Sequence, residues 1–137
     1  MPCAFKVYCV SSSEDPRDAE IIEWVHKLET KERGSFFSGM STLLKLANAG
    51  RRLESHYGPK ECHETHCFTY KQQEHVVWRI RCGDLRMLFY YGKDRILLIT
   101  DVFAKHRDKL TNAQKLKSEQ TIKAFIDVKK VKYTWEA

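Results

Sequence analysis

No stretch of the chain is apolar for the roughly twenty residues that a membrane-crossing helix needs. The opening residues, Met1-Pro2-Cys3-Ala4-Phe5, lack the basic start and apolar middle of a secretory leader. The five cysteines are odd in number and without regular spacing. A disulfide framework is therefore not expected, and a reducing compartment, the cytoplasm, is. Nothing repeats, and no segment is of low complexity. Basic excess is missing from the first half, where residues 1–70 hold nine Lys/Arg against ten Asp/Glu.

What is present describes one globular domain. The chain has 137 residues, 42% of them hydrophobic and 31% charged. That is enough to bury a core and too apolar for a disordered chain. Residues 71–137 hold fifteen Lys/Arg against eight Asp/Glu, so the net charge of +6 resides there. Such asymmetry points to a polyanionic partner, often nucleic acid. A solvated lysine-rich helix would account for Lys115, Lys117, Lys123, Lys129, Lys130 and Lys132 without any such partner.

The sharpest pattern is Val76 to Tyr91, two β-rich runs joined at Gly83-Asp84. A two-residue turn there predicts the pairs Cys82–Leu85, Arg81–Arg86, Ile80–Met87, Arg79–Leu88 and Trp78–Phe89. Alternation then gives an apolar face of Trp78, Ile80, Cys82, Leu85, Met87 and Phe89. The other face carries Arg79, Arg81 and Arg86 with Val77, Leu88 and Tyr90. Like charges opposite one another destabilise a hairpin. Arg81 and Arg86 therefore call for an acidic neighbour or an external anion.

Ahead of the hairpin, Ala4–Val10 reads as a strand and Pro16–Thr30 as a helix capped by Asp15. Gly34-Ser35 reads as a break. A second helix follows on the stripe Phe36, Met40, Leu43, Leu44 and Ala47, stopping at Gly50. Arg51–Glu64 reads as a loop, Thr65–Tyr70 as a strand and Lys71–Glu74 as a turn. Beyond the hairpin, Arg95–Phe103 reads as an apolar strand and Ala104–Leu110 as a basic segment. Thr111 with Gln114 forms a capping box for a last helix over about Asn112–Lys129. The tail from Val131 is either a strand or loose. The predicted architecture is a small α+β domain with an antiparallel sheet of about four to five strands. An N-terminal helical pair covers one face, a C-terminal helix follows, and the other face stays partly open.

Cys62-His63-Glu64-Thr65-His66-Cys67 has the residue types of a metal site. Structural zinc takes two ligand pairs across a longer loop, whereas here the ligands crowd into one strand-like run, so no metal is assigned. Glu64 is a candidate base from the strand beside the hairpin.

The order of elements, together with Val77-Trp78-Arg79-Ile80-Arg81, Gly83, Arg86, Phe89-Tyr90, Ile96-Leu97-Leu98-Ile99 and Phe103-Ala104-Lys105-His106, resembles the RelE/HigB-like toxins, phage-derived relatives included. The motif portion covers residues 77–106. The resemblance implies the toxin of a type II toxin–antitoxin pair. It implies an endoribonuclease that cleaves mRNA, commonly on the ribosome, by attack of the ribose 2′-OH on the neighbouring phosphate, with no metal or other cofactor. Cognate antitoxin, mRNA and ribosome are the implied partners. By position it implies catalytic roles for Arg81, Arg86 and His106 and substrate contacts from Arg79 and Lys105, while Arg107 and Lys109 of the same basic segment are further candidate contacts to RNA phosphates, which tolerate position. RelE itself has a tyrosine soon after the basic pair, where this chain has Thr111-Asn112. Tyr90, on the arginine face, is carried as a substrate-binding candidate in its place. Family members that bind gyrase, or that keep the fold without nuclease activity, form the alternative.

Overall fold

The computed structural model describes residues 4–11, 25–83, 85–92, 95–104, 111–127 and 131–134. In chain order these form β1 (Lys6–Ser11), α1 (Thr30–Asn48), a 3-10 turn (Leu53–Ser55), β2 (Cys62–Tyr70), β3 (Gln73–Cys82), β4 (Leu85–Gly92), β5 (Ile96–Ala104), α2 (Asn112–Ile126) and β6 (Val131–Thr134). The strands make one sheet in the order β2-β3-β4-β5-β1-β6.

The architecture is α+β, but the sheet is mixed rather than antiparallel and has six strands rather than four to five. β1 lies parallel to β5, with Lys6 opposite Ile96 and Cys9 opposite Ile99. Parallel neighbours need a long crossover, here everything between the two strands. The tail is a strand, β6, antiparallel to β1.

The β3–β4 hairpin has the predicted register in full, from Trp78–Phe89 to Cys82–Leu85. Gly83 has φ +61°, a left-handed conformation that glycine adopts without steric cost. The β2–β3 connection is also two residues long, Lys71-Gln72, both at positive φ. Primed turns of this kind match the twist of the strands. Lys71 is secured by an ion pair with Asp127 at the end of α2.

The expected first helix lies largely outside the described residues. Of its end, Val25 and His26 are helical and Lys27–Glu29 are not. The break therefore falls before Thr30, and Gly34-Ser35 sits inside a continuous α1. The Glu32 carboxylate accepts from the Glu29 N–H at 2.9 Å, half of a capping box that starts the helix there. Arg33 then ties the preceding segment down by donating to the carbonyls of Val25 and His26. A glycine inside a helix costs about 1 kcal/mol relative to alanine, which α1 offsets by packing.

That packing uses the predicted stripe. Phe36, Met40, Leu43, Leu44 and Ala47 are buried against Val7, Cys9, Ile80, Met87, Phe89, Leu97 and Ile99. Gly39 is required at closest approach, since a Cβ there would overlap the Cys82 sulfur. The opposite face is not open. α2 covers it with Ile122 and Phe125 against Val77, Leu88, Tyr90 and Leu98. The helices thus sit on opposite faces of the sheet. α2 begins at the predicted capping box, Gln114 N–H donating to the Thr111 hydroxyl at 3.1 Å.

Candidate site on the arginine face

Cross-strand partners share a face of the sheet. On the α2 face, the register aligns His63, Arg79, Leu88 and Asp101 across β2 to β5. The next row toward the hairpin turn holds Arg81, Arg86 and Phe103. Arg79, Arg81 and Arg86 thus lie together, Arg86 on the strand beside β5 and Arg79 and Arg81 one strand further from where β5 ends at Ala104 and the basic segment begins. Lys105, His106, Arg107 and Lys109 lie outside the described residues.

The three arginines differ in environment. Arg81 is exposed and Arg79 half-buried, whereas Arg86 is only 3% exposed. One Arg86 nitrogen donates to the carbonyls of Gly83 and Leu85, both at 3.0 Å. The guanidinium braces the hairpin turn, and this is how the sheet accommodates two arginines in one cross-strand pair. Asp101, also buried, accepts from Lys117 of α2 at 2.9 Å and from the Val102 N–H at 2.9 Å.

Tyr90 is on the expected face but inside the α2-side core, 8% exposed. Its hydroxyl pairs with His75 Nδ1 at 2.8 Å, and burial pushes its pKa up. The remaining His75 nitrogen faces the Tyr70 carbonyl at 3.4 Å. A carbonyl only accepts, so that nitrogen carries the proton and the Tyr90 hydroxyl donates to the other.

Sequence reasoning missed His63 as a companion of the arginines. It stands opposite Arg79, and its Nδ1 lies 3.1 Å from the Pro59 carbonyl. Again the carbonyl must accept, so Nδ1 holds the proton and Nε2 is the nitrogen able to take one. From sequence His63-Glu64 reads as the end of a loop, whereas β2 begins at Cys62, and the bulge between Glu64 and His66 sets which face His63 takes relative to the rest of the strand. Glu64, the base considered from sequence, pairs with Trp78 and so lies on the other face.

A cleft of about 540 Å³ opens beside this region, between Asp101–Phe103 of β5, Glu29 and Glu32 at the start of α1, and Ala113, Gln114 and Lys117 of α2. Both helix starts are satisfied by their own capping residues. Burial pushes the Cys9 and Cys62 thiols up to about 12 and Cys82 to about 11. Among the described residues, no three His, Cys, Asp or Glu side chains come together as a metal site, and no helix is long and apolar enough to cross a membrane.

Comparison with protein families, with curated proteins and with solved structures finds no match to this chain.

Proposed function

We propose that the chain is a RelE/HigB-like toxin that cleaves mRNA, with the arginine face as its RNA-binding surface. The observation that carries the reading is the cross-strand placement of Arg79, exposed Arg81 and His63 on one face, on the strands leading to the end of β5. Phosphate transfer to a 2′-OH needs a base, cations for the crowded phosphate and an acid for the leaving oxygen. Arg81 and Arg79 supply the cations, because a guanidinium stays charged and binds phosphate oxygens with two donors. Arg86 holds the turn that presents Arg81. His63 and His106 are the proton carriers. Lys105, Arg107 and Lys109 extend the phosphate contacts, and an acidic antitoxin suits the same surface.

The test is induced expression with primer extension on cellular mRNA, for wild type and for Arg81→Ala, His63→Ala and His106→Ala. New 5′ ends in the wild type that vanish with Arg81→Ala are expected. Growth arrest with intact transcripts would sink the nuclease reading and leave a gyrase-binding toxin. Neither arrest nor cleavage would leave a non-catalytic relative. The internal commitment of Arg86 favours that second group, since it leaves fewer exposed cations.

A further inference from the structure

A second candidate surface lies on the other side of the sheet, at the β2–β3 edge. Glu64 is paired with Trp78, Cys67 with Val76 and Thr69 with Glu74. Glu64, Glu74, Val76 and Trp78 therefore share the face opposite to Arg79. With Arg52, His75, Tyr90 and Tyr91 they line a cavity of about 340 Å³.

The cavity has aromatic walls and an acidic rim. The Trp78 and Tyr91 rings meet edge to face at 6.0 Å. Glu64 and Glu74 are exposed, and neither has an ion-pair partner among the described residues. Their field is felt at Cys67, whose thiol is held up by its hydrogen bond to Glu74 and by the charges of Glu74 and Glu64. One guanidinium is already accommodated. Arg52 lies over the Tyr91 ring, 4.0 Å from its centroid, with its charge met by Glu54. Two carboxylates beside an aromatic wall remain uncompensated on a molecule of net charge +6.

We propose that this cavity is a docking site for an arginine side chain on a basic peptide segment of a protein partner. The carboxylates attract a cation against the overall repulsion of a basic molecule. The aromatic walls favour arginine over lysine, because a guanidinium is planar, weakly hydrated and able to stack. A nucleic acid is disfavoured by the same carboxylates. The proposal does not rest on the ribonuclease reading, since its carboxylates and Trp78 lie on the face opposite the arginines; Tyr90, which also borders the cavity, has its hydroxyl committed to His75.

The probe is hexa-arginine peptide, titrated at low salt into a chain carrying Trp24→Phe and Trp135→Phe so that Trp78 alone reports. Saturable quenching is expected, with binding at least about tenfold tighter than for hexalysine. Glu64→Gln/Glu74→Gln should weaken it by at least about tenfold. Val76→Lys, which places a cation at the cavity, should abolish it, and Glu61→Gln, an exposed carboxylate outside it, should leave it unchanged. Absence of quenching, equal affinity for the two peptides, or undiminished binding in the double variant would overturn the proposal. So would self-association that the double variant abolishes, which would assign the cavity to a second copy of the chain.

Discussion

The two faces of the sheet are built differently. On the α1 side, among the described residues, twenty buried apolar residues from Phe5 to Val102 form one cluster, with polar ties at its rim from Tyr91 to Leu53 and Glu54 and from Arg95 to Gly50. On the α2 side the buried apolar cluster has six members. Polar ties add to it: Lys117 to Asp101, His66 to Glu119, Tyr70 and Lys71 to Asp127, and Lys123 over the Phe68 and Tyr70 rings. One face therefore holds the fold through non-directional burial. The other trades some of that burial for fixed charge, and it is the side on which the arginines sit.

The largest effect should come from the apolar face. Phe89→Ala is expected to cost about 3–5 kcal/mol in urea denaturation, and Phe125→Ala, under α2, about 2 kcal/mol. Equal losses would erase the distinction between the faces. Next, Gly39→Ala should cost about 1–3 kcal/mol by overlap with Cys82. The cost should fall in a Cys82→Ala background. If it stayed the same, the close approach would not be its cause.

A smaller effect concerns His66, whose ring meets the Thr65 hydroxyl at 2.9 Å and Glu119 of α2 at 3.6 Å. Desolvation lowers its folded pKa below the ordinary 6.5. Glu119 partly offsets this and Lys115 reinforces it. The unfolded state then binds the proton more readily, so stability is full above about pH 6.5 and declines as pH falls toward the folded value. His66→Gln should flatten the decline between pH 7.5 and 5.5, measured as Tm. A decline unchanged in the variant would place its origin elsewhere. Smallest of all, Arg81→Ala should change stability by no more than about 0.5 kcal/mol, as an exposed side chain, while removing the proposed cleavage. Loss of both together would make Arg81 a structural residue.

The sequence disclosed most where local rules acted alone. The β3–β4 register followed from alternation and one glycine turn, and the α2 start from Thr111 and Gln114. It disclosed least where distant residues decide. Nothing within Lys6–Ser11 specifies Ile96–Ile99 as its parallel partner. Gly34-Ser35 looked like a break because the carboxylate starting the helix at Glu29 carries no such obvious signature. The weak stripe of α2 hid the fact that the second face is covered. For the site, shared residence of Arg79, Arg81 and Arg86 was legible. The burial of Arg86 was not, because it depends on two turn carbonyls, and His63 needed the β2 bulge to be placed.

The parallel pairing of β1 and β5 also bears on the order of synthesis. Their partners are about ninety residues apart, positions 6 and 96. At typical elongation rates that separation takes roughly 5–18 s to make. Until then β1 lacks its parallel partner, and β6, which pairs with β1, is made later still. The nascent chain can form the β2–β3–β4 meander first, but the sheet is completed only once β5 and β6 have been made.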